Sequence, residues 1–201
     1  MTDAAERWDG ERLGILGGTF DPPHVGHTRM AMAARAALGL DRVFLSPAPH
    51  PPHKLAAHTT EYAHRLAMLK AALADTDGLF VTHIEENDAT SYTVELLRAC
   101  RVRTAADLYF IVGADSLAEL ASWREPAEVM RLATLVVFPR TDEVVRAPTA
   151  PDASLVVFEA PVIDVSSTEI RARLARGDTD TTGLSPAVAS YIAQHRLYAR
   201  A

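Results

Sequence analysis

The sequence predicts an α/β protein with a Rossmann-like, doubly wound parallel sheet and a small C-terminal helical appendage. Short apolar runs alternate with segments of helical periodicity along most of the chain, and this alternation favours a parallel sheet covered by helices. The chain has 201 residues, of which 48% are hydrophobic and 23% charged, as expected for one globular domain with a sizeable core. We expect that domain to span residues 12–201, with residues 1–11 as a flexible tail.

The first predicted unit is a strand, a glycine- and proline-rich loop, a helix and a second strand. Residues 13–16 form an apolar run that ends at Gly17 and Gly18, the pattern of a buried strand entering a tight turn. Apolar residues then recur at helical spacing over residues 27–38, and Gly39 is placed to end that helix. The next strand is predicted over residues 42–48.

The later elements continue the same alternation, and two of the helices have clear start signals. Ser166 and Glu169 form the pattern of a capping box, and Ser185 precedes Pro186 at a predicted helix start. The elements predicted between these two regions are helices over 62–74, 92–100, 117–122 and 126–132, strands over 79–85, 107–113, 134–138 and 155–158, and irregular segments over 47–58 and 141–153.

Charge and composition exclude several classes of protein. A net charge of -6 disfavours a nucleic-acid binder, which would carry a clustered basic surface. No apolar run reaches the ~20 residues that span a bilayer, and no secretory leader is evident, so we expect a cytoplasmic protein without membrane contact. Cys100 is the only cysteine and is interpreted as a buried helix thiol. The sequence leaves open whether the chain forms a homo-oligomer.

The loop after the first strand carries the strongest chemical signal. Two glycines, Gly17 and Gly18, let the backbone approach a phosphate closely. His24 and His27 are three residues apart at a helix start, so both rings can project to the same side, where the helix N-terminus adds unpaired N–H groups and partial positive charge. The pattern predicts an anion site. It is neither a P-loop nor a dinucleotide fingerprint, which disfavours P-loop phosphotransferases and dehydrogenases.

Residues 17–27, GGTFDPPHVGH, resemble the HxGH nucleotidylyltransferase superfamily, in the form typical of nicotinate-mononucleotide adenylyltransferases. Further matches follow in the family's order from about residue 13 to residue 198. They are PPHK at 51–54, Arg65 and Met68 in the next helix, SYT at 91–93, GADS at 113–116, Trp123, and VSSTxIR at 165–171. The resemblance therefore covers nearly the whole chain.

The resemblance implies a reaction in which the phosphate of nicotinate mononucleotide attacks the α-phosphorus of ATP, with Mg²⁺ carried on the phosphates rather than bound directly by the protein. His24 and His27 are the implied catalytic residues, with His27 stabilising the transition state. The implied ATP-binding residues are Gly17, Gly18, Thr19, Phe20, His24, His27, Asp115, Ser167, Thr168 and Arg171. The implied residues for nicotinate mononucleotide are Lys54, Thr93, Val94, Trp123 and Arg124.

The resemblance also assigns individual roles. Ser167 and Arg171 are implied to bind the pyrophosphate side of ATP, and Asp115 to lie near the ribose or the hydrated metal. Trp123 is implied to lie against the nicotinate ring, with backbone N–H groups near Thr93, Val94 and Arg124 at its carboxylate. After residue 138 the family often has an Arg-Pro-Gly-like turn, whereas this chain has Pro139-Arg140, which leaves the role of Arg140 open.

Two alternatives stay open on the sequence alone. Another HxGH transferase, such as a pantetheine-phosphate adenylyltransferase or a cytidylyltransferase, would share the fold, but the former usually has threonine at the position of His24 and lacks the PPHK and Trp123 features. A nucleotide-binding sensor without activity would also keep the fold. Both histidines and the SSTxIR motif are intact, which favours an enzyme.

Overall fold

In the computed structural model the described residues are 8–51, 59–87, 91–113, 116, 119–138, 155–158 and 165–199. The strands are β1 (Arg12–Gly18), β2 (Arg42–Pro47), β3 (Leu79–Val81), β4 (Asp107–Gly113), β5 (Thr134–Phe138) and β6 (Leu155–Val157). The helices are α1 (Val25–Leu38), α2 (Tyr62–Leu73), α3 (Thr93–Arg103), α4 (Pro126–Leu132), α5 (Ser167–Ala175) and α6 (Pro186–His195).

The strands form one six-stranded sheet in the order β3-β2-β1-β4-β5-β6, and all neighbouring strands run parallel. The chain begins at the centre, builds outward to β3, then crosses back to β4 on the other side of β1. This reversal leaves a crevice beyond the carboxyl ends of β1 and β4, where ligands bind in open parallel sheets. The predicted doubly wound fold is confirmed.

Helices cover both faces of the sheet because successive strand residues point to opposite sides. In β1, Ile15 packs in one core cluster with Leu97 of α3 and Val129 of α4. Leu16, its neighbour, packs in the other cluster, which includes Ala34 of α1. The continuous apolar strands of the sequence are thus buried on both faces, as parallel sheets require.

The C-terminal appendage is the helix α6, which packs on α2. Met68 of α2 forms a small buried cluster with Val188 and Ile192 of α6. The predicted N-cap residues are confirmed at both late helices: the Ser166 hydroxyl accepts a hydrogen bond from the N–H of Glu169, and the Ser185 hydroxyl accepts one from Val188. Within the described part of the chain, none of the helices has the length and apolar character needed to cross a membrane.

Several element boundaries differ from the prediction. Strand β3 stops at Val81 rather than residue 85, because the chain turns over residues 84–87 and the Thr82 hydroxyl accepts a hydrogen bond from the N–H of Ile84. Gly17 and Gly18 continue the β1 ladder instead of forming a turn. Of the helix predicted over 117–122, the described part is a 3₁₀ turn at Leu120–Ser122.

The packed part of the chain begins before the predicted boundary at residue 12. The Trp8 ring stacks on Phe44, with ring centroids 4.2 Å apart and planes inclined by 14°. The carboxylate of Asp41 accepts hydrogen bonds from the N–H groups of Glu11 and Arg12 at 2.8 and 3.0 Å. Residues 1–7, most of the predicted loop over 47–58, and all of the loop over 141–153 lie outside the described residues.

Cys100 has the environment expected of a buried helix thiol. It lies on α3 with no exposed surface, and burial raises the pKa of its thiol to about 12. The thiolate is the reactive form, so at pH 8 both its population and its accessibility are very low.

We expect a disulfide-exchange reagent to label Cys100 at least 100-fold more slowly in the native protein than after unfolding in guanidinium chloride. Comparable rates in the two states would contradict the burial of this thiol.

Candidate active site

The crevice beyond β1 and β4 contains two joined cavities. The larger, of about 610 Å³, lies over the loop that follows β1 and reaches the start of α5; we call it the histidine cavity. The smaller, of about 230 Å³, lies between the end of β1, the start of α3 and the 3₁₀ turn; we call it the tryptophan cavity. The residues that line both are Gly17, Gly18, Thr19, Pro51, Val112, Ser116 and Glu119. Two ligands could therefore meet over residues 17–19.

The two glycines at the end of β1 are closely packed against aromatic rings. A Cβ on Gly18 would lie 3.2 Å from the ring of Phe20, and one on Gly17 would lie 3.3 Å from the ring of Phe110. Neither glycine has a positive φ. That conformation belongs instead to Phe20, whose φ of 50° is strained for a residue with a side chain. The Phe20 ring is buried beneath Gly18, and this packing holds the loop in its shape.

His24 and His27 lie together at the start of α1 and both line the histidine cavity. His24 is the N-cap residue, and its N–H donates a hydrogen bond to Nδ1 of His27 at 3.1 Å. The two ring centroids are 3.7 Å apart, and the Phe20 ring lies edge-on to His27 at 4.9 Å. Because Nδ1 of His27 accepts this bond, the neutral ring carries its proton on Nε2. His27 is therefore set up as a donor through Nε2.

The opposite wall of the histidine cavity is the start of α5, lined by Ser166, Ser167 and Thr168. This helix is fastened to the histidine loop by two bonds. The Ser167 hydroxyl donates to the carbonyl of Pro22 at 2.9 Å, and Nη1 of Arg171 donates to the carbonyl of Asp21 at 2.7 Å. Arg171 is not among the residues that line the cavity. The N-termini of α1 and α5 both border the cavity, and each contributes partial positive charge.

The tryptophan cavity is lined by Tyr92, Thr93, Trp123 and Arg124. Trp123 meets Phe110 edge to face, with ring centroids 6.1 Å apart. The guanidinium carbon of Arg124 lies 4.9 Å from the centre of the Tyr92 ring. Aromatic faces beside a cation and the start of α3 suit a planar ligand with negative charge.

Of the predicted site residues that the structure describes, Val94 and Arg171 line neither cavity. Val94 is fully buried in the core. Lys54, Asp115 and Arg140 lie outside the described residues. His195, interpreted from the sequence as structural, packs on Tyr191 at a ring distance of 4.2 Å and lines neither cavity.

The structure also adds residues that the sequence analysis did not select. Glu85 is 4% exposed, lines the tryptophan cavity, and accepts a hydrogen bond from the Ser46 hydroxyl at 2.6 Å. The buried carboxylate of Asp21 accepts a hydrogen bond from the Tyr198 hydroxyl at 2.7 Å, and burial raises the pKa of that hydroxyl. Asp21 lies inside the motif at residues 17–27 and Tyr92 inside the SYT motif at 91–93, so the sequence does carry a signal for both. The sequence predicts Glu85 in a strand, but that strand ends at Val81.

Comparison with known proteins gives a consistent family. A family model described as cytidylyltransferase-like matches residues 15–173. A relative from Roseiflexus sp. is 39% identical over 92% of this chain and 97% of its own length, and is named "Probable nicotinate-nucleotide adenylyltransferase". A relative from Lactiplantibacillus plantarum with the same name is 34% identical over 98% of this chain and 93% of its own.

Solved structures support the fold. A Plasmodium falciparum nicotinic acid mononucleotide adenylyltransferase complexed with NaAD superposes with a TM-score of 0.78 at 19% identity, covering 94% of this chain and 98% of the other. A Vibrio parahaemolyticus protein described as a "Putative Nicotinate-nucleotide Adenylyltransferase" has a TM-score of 0.71 at 19% identity, over 96% and 98% of the two chains. At this identity the likeness establishes the fold alone.

Proposed function

The chain belongs to the nicotinate-nucleotide adenylyltransferase family, and from this premise we propose how its two joined cavities carry out adenylyl transfer from ATP to nicotinate mononucleotide. The reaction belongs to NAD biosynthesis. A phosphate oxygen of nicotinate mononucleotide forms a bond to the α-phosphorus of ATP, and the bond to pyrophosphate breaks. The observation that carries the assignment of sites is the shared wall at residues 17–19, where ligands in the two cavities would meet.

The histidine cavity takes the phosphates of ATP. His27 donates from Nε2, and the N–H groups at the starts of α1 and α5 add neutral donors with partial positive charge. Negative charge builds on the departing pyrophosphate during transfer, so donors held in place before reaction lower the barrier without reorganising. No covalent nucleophile is needed, because transfer depends on positioning and charge stabilisation.

The tryptophan cavity takes nicotinate mononucleotide. Its pyridine ring stacks on Trp123, and its carboxylate lies near the N-terminus of α3 and Arg124, which together supply N–H donors and a cation. The phosphate of the acceptor then extends toward Gly17–Gly18–Thr19, where the bond to the α-phosphorus forms.

A magnesium ion carried on the ATP phosphates fits the donor set of the histidine cavity. Among the described residues no group of three or more His, Cys, Asp or Glu side chains is placed to hold a metal. Among the described residues the cavity lining offers imidazole nitrogens, hydroxyls, backbone N–H groups and two carboxylates, those of Asp21 and Glu119. Mg²⁺ prefers oxygen ligands and retains water, so most of its ligands would be phosphate oxygens and water. When bound, the ion would neutralise phosphate charge.

We also propose that the enzyme acts in the cytoplasm on these two small molecules without nucleic acid.

The decisive experiment measures products. We expect purified protein with ATP, Mg²⁺ and nicotinate mononucleotide to release pyrophosphate and nicotinate adenine dinucleotide in equal amounts, and EDTA to abolish the reaction. The amidated nucleotide, run in parallel, measures the preference for the carboxylate. Turnover with phosphopantetheine but none with either pyridine nucleotide would assign the chain to the pantetheine-phosphate adenylyltransferases instead.

A further inference from the structure

Arg65 is a buried cation directly behind the active site. It lies on α2, is 1% exposed and lines neither cavity. Its guanidinium donates to four backbone carbonyls. The acceptors are Thr60 at 2.8 Å from Nε, Thr19 at 2.7 Å and Ala48 at 2.8 Å from Nη1, and Pro49 at 3.2 Å from Nη2. One side chain thus joins the histidine loop to the segment that follows β2, and Thr19 and Ala48 of these two segments line the tryptophan cavity.

The charge of Arg65 is compensated inside the protein. Burial lowers the pKa of its guanidinium, and the Asp21 carboxylate, 4% exposed, acts in the opposite direction. Asp21 is held in turn by the Tyr198 hydroxyl at 2.7 Å and the N–H of Thr60 at 3.2 Å. A buried charge gives weak evidence of stability, because its desolvation offsets most of the attraction to an opposite charge. The buried guanidinium of Arg65, with its several N–H donors, is better explained by a role in positioning the backbone segments that it contacts.

The bond to Thr19 sets the orientation of one particular peptide. The Thr19–Phe20 peptide is trans, so its N–H points opposite to its carbonyl, away from Arg65. Phe20 lines the histidine cavity and has the strained φ of 50°. Among the described residues, none accepts a hydrogen bond from the Phe20 N–H. This donor is therefore left without an acceptor among the described residues, on a residue that lines the histidine cavity.

We propose that Arg65 is a positioning residue for adenylyl transfer, which holds the Thr19 carbonyl so that the Phe20 N–H faces the phosphates of ATP. The inference rests on the proposed function of the histidine cavity. Lysine at this position keeps the charge but cannot donate to four carbonyls with a planar fork. The peptide would then be free to rotate out of its strained conformation, and its donor would be lost to the transition state.

The kinetic test compares Arg65→Lys with Arg101→Lys. Arg101 is a matched control, because its guanidinium also donates to backbone carbonyls, those of Ala106 and Leu132, and it lines neither cavity. We expect Arg65→Lys to lower kcat at least tenfold while the KM for ATP changes less than threefold, and Arg101→Lys to retain kcat. Equal kcat losses in variants of similar melting temperature, or an unchanged kcat in Arg65→Lys, would overturn the proposal.

A second readout does not depend on turnover. Phe20 is the only phenylalanine that follows a threonine, so labelling threonine carbonyl carbon with ¹³C and phenylalanine nitrogen with ¹⁵N gives one NMR signal for this peptide. We expect saturating ATP without acceptor to shift the signal in wild type and in Arg101→Lys, and to shift it less than half as far in Arg65→Lys. An unmoved wild-type signal refutes the proposal even if the enzyme is active. Failure of adenylyl transfer alone would instead refute the proposed function.

Discussion

Replacing His27 with alanine is expected to lower kcat by about 10²–10³-fold, the usual effect of removing one well-placed transition-state donor. The structure gives the donor atom. Nδ1 of His27 accepts the His24 N–H, which leaves the proton on Nε2 for a phosphate. Since this interaction is strongest when charge develops on the leaving group, the loss should fall mainly on kcat rather than on the KM for ATP.

Two further substitutions separate the effect of the Nε2 donor from that of the hydrogen bond between the His24 N–H and Nδ1. In His27→Asn the amide oxygen can take the place of Nδ1 and keep the bond to His24, but nothing replaces Nε2. In His27→Gln the longer side chain can place a donor near the Nε2 position. We therefore expect Asn to be as inactive as Ala but more stable, and Gln to recover part of the activity. Pyrophosphate release and thermal melts measure the two effects.

The control for this series is His195→Ala, which removes an imidazole outside both cavities. The variant should keep kcat within about twofold of the wild-type value. The aromatic rings that His195 contacts among the described residues are those of His64 on α2 and Tyr191 on α6. Full activity in His27→Ala would remove His27 from the mechanism. Equal activity in the Asn and Gln variants would show that Nε2 is not the important atom.

The fold was largely predictable because its signals are local. Continuous apolar runs, helical periodicity and cap residues such as Ser166 and Ser185 are each legible within a few positions. One exception is β3, which is predicted to extend to residue 85, whereas the strand ends at Val81 and the chain turns over residues 84–87. Sequence pattern records which side chains are apolar and not where the ladder of hydrogen bonds ends.

The placement of residues in the candidate site was predictable only where they cluster in a motif. His24 and His27 could be recognised from spacing, since three residues on a helix place two rings on one side. The bond from Tyr198 to Asp21 joins residues 177 positions apart and has no local signal. Likewise, nothing in the SSTxIR motif indicated that Arg171 holds the carbonyl of Asp21 and that Ser167 holds that of Pro22. Such contacts arise only from the tertiary arrangement.

The second large effect is expected on replacing Trp123, and it concerns the binding of nicotinate mononucleotide. Stacking of a flat ring on an aromatic side chain contributes roughly 1–3 kcal/mol when measured by alanine substitution. Trp123→Ala should therefore raise the KM for nicotinate mononucleotide by about 5- to 150-fold. The KM for ATP should stay within about twofold, because Trp123 lines the tryptophan cavity and not the histidine cavity.

Trp123→Phe provides the matched control, because it retains an aromatic face and the edge-on contact with Phe110. Trp123→Phe should recover most of the affinity for nicotinate mononucleotide. A variant that fails only because its core is destabilised would instead change the KM for both substrates. A rise in the KM for ATP as large as that for the acceptor would contradict the division into two cavities. Because His27 acts on kcat and Trp123 on the KM of one substrate, the two series test the ATP chemistry and the identity of the acceptor independently.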